Sequence, residues 1–186
     1  MEHRRLHLEE GFTVIFDGSN MDGWQQIGPG RFVPESDGSI RSEGGMGLLW
    51  YTKRAYRDFV LRVEYRPEKP ESNSGVFVRF PDPKGDPWNP VNQGHEIQIC
   101  DPPKDPKHRT GAVYDFKGPT HVPTRPIGEW NELEVQVVGQ RYTISLNGEV
   151  VCEYDSGRSL EGYVGLQNHN DGDTVWFRAV SVRELG

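Results

Sequence analysis

The chain has 186 residues, a length that usually folds as one domain and buries a substantial core without disulfides. The formal net charge of −7 argues against a nucleic-acid-binding protein, because a phosphate-binding surface needs clustered lysines and arginines. The 22 glycines and 14 prolines favour many short strands joined by turns. Two cysteines, Cys100 and Cys152, are too few for a zinc site or a disulfide framework. We expect two half-buried thiols, unless an oxidising compartment pairs them.

The first residues, MEHRRLHLEEGF, are charged and contain no apolar stretch of the length that a signal peptide requires. No other stretch approaches the length of a membrane span. We therefore expect a cytoplasmic protein that does not bind membranes. A periplasmic or secreted protein that was trimmed of its signal would have the same sequence.

The first half of the chain contains short apolar segments, several of them alternating, a pattern typical of β-strands. A hairpin is predicted around Asp37–Gly38, because glycine accepts the positive φ of a tight turn. A long loop at 81–94, rich in proline, glycine and asparagine, precedes the last strand of this half. The predicted strands are 12–16, 31–43 (as a hairpin), 47–52, 58–66, 74–80 and a strand that begins at His95.

The second half repeats this pattern, with strands predicted at 110–116, 130–139, 141–154 (as a hairpin at Asn147–Gly148), 162–169 and 175–185. No segment has a convincing helical period. We therefore predict an all-β sandwich of two antiparallel sheets, packed as a jelly roll. It forms one domain at 12–186, after an N-terminal extension at 1–11. The predicted core includes Phe59, Leu61, Val63, Val76, Val78, Ile97 and Ile99.

The segment GHEIQICD (94–101) raises a question about function. Alternation places His95, Ile97 and Ile99 on one face of a strand, and Glu96, Gln98 and Cys100 on the other. Antiparallel sheets commonly have one solvated face, which is the simpler explanation of these polar side chains. A ligand site on that face is the alternative.

Eight segments in order resemble the 3-keto-disaccharide hydrolase domain family, over about residues 12 to 185. The resemblance implies a concanavalin A-like jelly roll. It also implies cleavage of the glycosidic bond of 3-keto-glycosides or 3-keto-disaccharides, by C1–C2 β-elimination or by hydrolysis. The segments are IFDGSNMDGW (15–24), DFVLRVEYR (58–66), NSGVFVR (73–79), HEIQICD (95–101), TGAVYD (110–115), GEWNELEV (128–135), LNGEVV (146–151), and GLQNHND followed by VWFRAVSVREL (165–185).

The implied chemistry suggests catalytic residues. A ketone at C3 acidifies the proton at C2, so elimination needs a base near C2, donors or a cation at the C3 oxygen, and an acid at the leaving oxygen. Glu96 is predicted as the base or the acid, and His169 is the second acid–base candidate. Arg79 is predicted to hold Glu96 ionised or to stabilise the enolate oxygen. The alternative for Arg79 and Glu96 is a structural ion pair on a solvated sheet.

Further side chains are candidates for binding the substrate. We expect Arg79, Glu96 and Gln98 to share one cleft with residues of the 165–169 strand, because their strand parity matches. Aromatic rings can stack on the C–H faces of a sugar, while polar side chains bind its hydroxyls. The polar candidates are Gln98, Gln167, Asn73 and Asp101, and the aromatic candidates are Trp50, Tyr51, Trp88 and Tyr114.

No cofactor is predicted. A single structural Ca²⁺ in a loop is conceivable but is not predicted, because no spacing of acidic residues matches an EF-hand. The expected partner is a small-molecule sugar, with neither nucleic acid nor a membrane, and a functional pairing with a sugar 3-oxidoreductase stays open. The alternative function is a non-catalytic carbohydrate-binding module on the same fold. A conventional glucanase is disfavoured, because the strand lacks an E-x-D-x-x-E-like set of acids.

Overall fold

The computed structural model describes residues 11–186, and most of the predicted N-terminal extension (1–11) lies outside the described residues. The described chain is almost entirely β-structure. Its strands are β1 (Thr13–Phe16), β2 (Trp24–Ile27), β3 (Arg31–Pro34), β4 (Ile40–Glu43), β5 (Gly47–Tyr51), β6 (Phe59–Pro67), β7 (Ser74–Phe80), β8 (His95–Ile99), β9 (Asn131–Val138), β10 (Arg141–Leu146), β11 (Glu149–Asp155), β12 (Tyr163–Asn168) and β13 (Val175–Glu184).

The strands form two antiparallel sheets, as the sequence predicts. The eight-stranded sheet has the order β11-β10-β9-β6-β13-β4-β3, and β1 pairs with β13. The five-stranded sheet has the order β2-β5-β12-β7-β8. Strands that are distant in the sequence are neighbours in both sheets, so the connections cross between the layers. This is the predicted concanavalin A-like jelly-roll sandwich.

The core lies between the two sheets. All seven residues predicted for the core are no more than 1% exposed, and they belong to one apolar cluster. β6 contributes Phe59, Leu61 and Val63 to the cluster, and β7 contributes Val76 and Val78. Each fully buried side chain of this size stabilises the fold by about 1.5–3 kcal/mol relative to an exposed one. The inner faces of the strands are therefore fixed by burial, and the outer faces are left for other roles.

Both predicted hairpins form around residues with positive φ. Asp37 accepts a hydrogen bond from the Ser39 N–H (2.9 Å), and Gly38 has a φ of 86° between β3 and β4. Between β10 and β11, Asn147 and Gly148 have φ values of 51° and 84°. Positive φ at both central residues is typical of the type I′ turn, whose twist matches that of the paired strands.

The prediction of a strand at 110–116 is wrong. This segment is irregular and runs along the edge of β8, where the Tyr114 N–H donates to the Glu96 carbonyl (2.8 Å). Gly111 and Asp115 have φ values of 88° and 67°, which are incompatible with an extended strand. The segment covers the edge of the five-stranded sheet without extending it.

The described chain also contains one short α-helix, α1 (Asn89–Gln93), inside the long loop at 81–94, and a 3-10 helix at Pro106–His108. The sequence shows no helical period at either place, because each is about one turn long. Within residues 11–186, no helix has both the length and the apolar character needed to cross a bilayer.

Candidate active site

Two rows of side chains cross the outer face of the five-stranded sheet. Residues directly opposite each other in antiparallel strands share a face, so the register defines the rows. The first row is Trp50, Gly165, Phe77 and Glu96, and the second is Leu48, Gln167, Gly75 and Gln98. The Glu96–Gln98 pair therefore lies on a continuous surface that spans β5, β12, β7 and β8.

The loop at 81–94 covers part of this surface and leaves a cleft. Val91 of α1 packs on an apolar cluster that includes Leu48, Trp50 and Phe77. Beside it remains a cavity of about 110 Å³, which we call the carboxylate cleft. Its lining residues are Asn73, Trp88, Val91, Glu96, Gln98, Tyr114, Gln167 and His169. Small-molecule sites usually measure about 300–1,000 Å³, so this cleft fits one part of a ligand rather than all of it.

Glu96 is a buried acid in the wall of the carboxylate cleft. Its side chain is 5% exposed, and no other described side chain pairs with its carboxyl group. Burial raises the pKa of Glu96 from 4.5 to about 8, because desolvation disfavours the charged form. The carboxyl group lies directly over Gly75, where an added Cβ would stand 2.6 Å from Oε1. Glu96 is thus mostly protonated at neutral pH and can donate a proton.

His169 follows the last residue of β12 and lies across the cleft from β8. Its Nδ1 is 3.3 Å from Oδ2 of Asp173, and the two side chains are 32% and 18% exposed. An Nδ1–H donated to the carboxylate leaves Nε2 with a lone pair and fixes the ring. The pair can therefore accept a proton through Nε2.

Three side-chain amides in the carboxylate cleft have free oxygen atoms. The buried Asn73 Oδ1, Gln98 Oε1 and Gln167 Oε1 have no hydrogen-bond partner among the described residues. Buried amide oxygens are usually paired, and leaving one unpaired costs about 1–3 kcal/mol. Hydroxyl groups of a bound ligand would satisfy all three.

The loop that follows β8 orients one of these amides and supplies an aromatic wall. The Gln98 Nε2 donates to the His108 carbonyl (3.2 Å), which fixes the direction of the amide. Tyr114 stacks on the His108 ring at 4.9 Å with an interplanar angle of 28°. Burial and the nearby Glu96 both raise the pKa of Tyr114, so its hydroxyl stays protonated and can donate a hydrogen bond.

The structure brings together most of the predicted site residues. Those that line the carboxylate cleft are Asn73, Trp88, Glu96, Gln98, Tyr114, Gln167 and His169. The sequence does not predict three further residues that shape the cleft. Val91 lies on the unpredicted helix, Gly75 has no side chain to attract attention, and Asp173 is marked only by its spacing of four residues from His169.

The predicted placement of Arg79 is wrong. Its side chain is 1% exposed and points away from the cleft, where it donates to the carbonyls of Arg57 and Gly139 and pairs with Asp58 at 3.2 Å. The cause is a β-bulge in β7, where Arg79 has a φ of 54° and the register with β12 shifts. A bulge reverses the face of the residues beyond it, so strand parity fails there.

Trp50, Tyr51 and Asp101 also lie outside the carboxylate cleft. Trp50 is buried in the apolar cluster, where its ring packs edge-on against Tyr163 with centroids 4.9 Å apart. Tyr51 packs against Trp24 at 5.4 Å. The Asp101 carboxylate accepts a hydrogen bond from the Thr110 hydroxyl, which ties the start of the irregular segment to β8.

The side chains of the cleft offer groups for proton transfer and hydrogen bonding. In the part of the chain that the structure describes, no group of three or more His, Cys, Asp or Glu side chains is arranged to hold a metal ion. A protonated buried acid stands in one wall, a carboxylate-oriented imidazole in another, and amides with free oxygens lie between. This combination suits acid–base chemistry on a neutral ligand that carries hydroxyl groups.

Known proteins are similar to this chain in sequence and in fold. A 3-keto-disaccharide hydrolase of Bacteroides thetaiotaomicron is 27% identical over an alignment of 235 positions, which covers 95% of this chain and 79% of that protein. The fold is similar to that of a proposed glycosyl hydrolase from Parabacteroides distasonis, with a TM-score of 0.81, 20% identity and coverage of 100% and 99% of the two chains.

The carbohydrate-binding module CBM66 from Bacillus subtilis also has a similar fold, with a TM-score of 0.65, 16% identity, and coverage of 89% of this chain and 98% of that one. The profile of the 3-keto-alpha-glucoside-1,2-lyase-like domain matches residues 11–183, which is nearly the whole chain. The protein therefore has a carbohydrate-related function, and it belongs to the family of 3-keto-alpha-glucoside-1,2-lyase-like domains.

Proposed function

We propose that the protein is an enzyme that cleaves the glycosidic bond of 3-keto-glycosides in the carboxylate cleft. The observation that carries the proposal is the pair of opposed groups in this cleft, a buried carboxyl with a pKa of about 8 and an imidazole oriented by Asp173. The name of the Bacteroides relative, a 3-keto-disaccharide hydrolase, supports this substrate class.

The two groups take different roles because their environments differ. Glu96 is the general acid, since burial keeps its proton at neutral pH. His169 is the general base, since Asp173 occupies Nδ1 and leaves Nε2 free to accept a proton. A positioned acid or base of this kind usually contributes about 10²–10⁴-fold to a rate.

Neutral donors, rather than a cation, stabilise the enolate. Arg79 is committed to backbone carbonyls elsewhere, so the C3 oxygen must find its donors inside the cleft. The Tyr114 hydroxyl and the amides of Asn73 and Gln167 line the same cavity and supply such donors. The Trp88 side chain, 49% exposed at the rim, supplies an apolar face for the sugar ring.

The bond changes balance within this set of groups. His169 takes the proton from C2, and the electron pair forms an enolate with the C3 ketone. The enolate then expels the C1 oxygen, which takes the Glu96 proton, and leaves a C1–C2 double bond. Addition of water to this double bond gives the free 3-keto sugar, so elimination and hydration together equal hydrolysis. The ketone itself must come from a prior oxidation at C3, which is the step that a sugar 3-oxidoreductase performs.

The test compares methyl 3-keto-glucoside with methyl glucoside as substrates for the wild-type protein and for Glu96→Gln. We expect release of methanol from the 3-keto-glucoside alone, because a plain glucoside forms no stabilised carbanion. Glu96→Gln should lower kcat by about 10²–10⁴-fold while KM changes far less. The matched control is Glu129→Gln, a substitution in an exposed loop.

Two results would overturn the proposal. Cleavage of the plain glucoside at a comparable rate would remove the role of the ketone. Full activity in Glu96→Gln would remove Glu96 from proton transfer.

A non-catalytic binding module is the second candidate, because the unpartnered amide oxygens and the exposed Trp88 ring also suit sugar binding without chemistry. Such a module would bind methyl glucoside and its 3-keto form with similar affinity and would release no methanol. Calorimetric titration beside the activity assay separates the two functions.

A further inference from the structure

A second cleft lies on the outer face of the same sheet. It measures about 680 Å³, and its lining includes Gln25 and Ile27 of β2, Trp50 of β5, and Thr52, which follows β5. Asp82, Lys84 and Gly85 of the long loop form its rim, so the loop that covers the carboxylate cleft also bounds this one. We call it the tryptophan cleft. Its volume falls in the usual range of about 300–1,000 Å³ for small-molecule sites.

Two of the residues that line the tryptophan cleft carry polar groups without a hydrogen-bond partner among residues 11–186. The Trp50 Nε1 is a buried donor without a hydrogen bond, on a side chain that is 5% exposed. Gln25 lies directly opposite Trp50 in the register of β2 and β5. The next residue, Gln26, uses its amide to hold the Phe32 backbone (N–H to Oε1, 2.6 Å). Gln25 has no such structural bond among residues 11–186.

The lining selects an uncharged ligand with hydroxyl groups. Trp50 and Ile27 supply apolar surface, while Gln25 and the unpaired indole N–H supply hydrogen bonds. The rim carries one acidic and one basic side chain, which gives no net attraction for an anion or a cation. A sugar ring has apolar C–H faces and neutral hydroxyls, and it matches this mixture.

Residues of the two clefts are diagonal neighbours on the outer face of the sheet. Gln167 of the carboxylate cleft lies opposite Leu48, and Trp50 is two residues further along β5. Diagonal neighbours of this kind are about 7–8 Å apart, comparable with the step between adjoining rings of an oligosaccharide.

We propose that the tryptophan cleft binds the unoxidised sugar unit of a 3-keto-disaccharide whose oxidised ring occupies the carboxylate cleft. This inference rests on the proposed function. It accounts for the small volume of the carboxylate cleft, which holds only the reacting ring. It also gives the unpaired Trp50 Nε1 a partner, a hydroxyl oxygen of the second ring.

The test compares two ligands, a 3-keto-disaccharide and methyl 3-keto-glucoside, because only the disaccharide has the second sugar ring. The Kd of a 3-keto-disaccharide and of methyl 3-keto-glucoside is measured by calorimetry on Glu96→Gln, whose turnover is expected to be about 10²–10⁴-fold slower than that of the wild type. Gln25→Ala and Trp50→Phe are added in turn, and Trp50→Phe keeps an aromatic ring beside Tyr163. We expect each to weaken the disaccharide about twofold to tenfold, the worth of one hydrogen bond, and to leave methyl 3-keto-glucoside unchanged.

The matched control is Gln136→Ala, which removes a partly exposed glutamine from β9 in the other sheet and should change neither affinity. Equal weakening of both ligands, or no weakening of the disaccharide, would overturn the inference even if the enzyme cleaves both. A different result is that Gln25→Ala weakens binding of the disaccharide while the wild-type protein cleaves neither ligand. This result would overturn the proposed function and keep the tryptophan cleft as a sugar site.

Discussion

Gly75 leaves the space that the Glu96 carboxyl group occupies. A Cβ at this position would meet Glu96 Oε1 at 2.6 Å and Cγ at 2.8 Å. Both atoms belong to the Glu96 side chain and not to backbone, so Gly75→Ala should displace the carboxyl group without disrupting β7. We expect the fold to remain and kcat to fall at least tenfold, measured with a 3-keto-glucoside and by thermal unfolding.

The control for Gly75→Ala is Gly157→Ala, at a position where an added Cβ meets nothing within 4 Å. It should change neither activity nor the unfolding temperature. A Gly75→Ala protein with wild-type kcat would show that the position of the Glu96 carboxyl group does not matter to the reaction.

The buried Glu96 also makes stability depend on pH. Its pKa is about 8 in the folded protein against an ordinary 4.5, so the folded state holds the proton more tightly than the unfolded state does. The free energy of unfolding should therefore fall between pH 4.5 and 8, by up to about 1.4 kcal/mol per pH unit from this group. The Glu96→Gln variant has no titrating group at this position. Its free energy of unfolding, relative to that of the wild type, should therefore rise between pH 4.5 and pH 8.

Urea unfolding of both proteins at a series of pH values measures that difference, in which the contributions of other titrating groups cancel. A difference that stays constant from pH 5 to pH 9 would mean that Glu96 titrates at its ordinary pKa. The acid role would then lose its basis.

At the scale of single residues, the sequence predicts groups whose chemistry is distinctive. Glu96 and Gln98 follow from alternation within one strand, and His169 from its place at a strand end. Gly75 and Asp173 could not be predicted in the same way. The role of Gly75 depends on a side chain from the neighbouring strand, and that of Asp173 on how the turn after β12 folds back.

The bulge in β7 converts Arg79 from an expected catalytic residue into a structural one. Its guanidinium group satisfies the carbonyls of Arg57 and Gly139 and thereby joins the end of β7 to the turn after β9. Arg79→Met would leave these carbonyls without a buried donor. We expect the free energy of unfolding to fall by about 3 kcal/mol, measured by urea unfolding, with kcat/KM of the folded protein retained.

Arg54→Met is the matched control for Arg79→Met. Arg54 pairs with Glu184 at 2.8 Å on the surface, where both side chains are at least half exposed. Removal of such a pair should change stability by about 1 kcal/mol or less. The structural role would be contradicted if Arg79→Met were as stable as the wild type but inactive.

At the scale of elements, alternation predicts strands with one buried face and fails where the backbone departs from regular geometry. β2 has the sequence WQQI, in which two polar residues replace the alternation, and its pairing with β5 identifies it only in the structure. The segment 110–116 has the composition of a strand, but positive φ at Gly111 and Asp115 bends it away. In both cases tertiary pairing, rather than local pattern, decides the conformation.

At the scale of the whole molecule, the sequence predicts in part which faces of the sheets form the core and which face carries the clefts. The inner faces form the core that the apolar residues predict, and one outer face carries the clefts. The loop at 81–94 was predicted as a loop, but its path across the outer face was not. That path is held by Arg158, which donates to the Val91 carbonyl (2.9 Å) and packs over Phe116 at 4.8 Å. Such contacts join residues far apart in the sequence and leave no local pattern.

The central claim, that the glycosidic bond breaks after removal of the C2 proton, is tested most directly by cleavage of a 3-keto-glucoside in deuterated water. The product is followed by NMR at early times, beside an incubation of the 3-keto sugar without protein. We expect deuterium at C2 of the product, because hydration of the C1–C2 double bond adds a proton from solvent. Glu96→Gln should slow product formation. If the product formed by the wild-type protein keeps its original C2 hydrogen in full, elimination is contradicted and water attacks C1 directly.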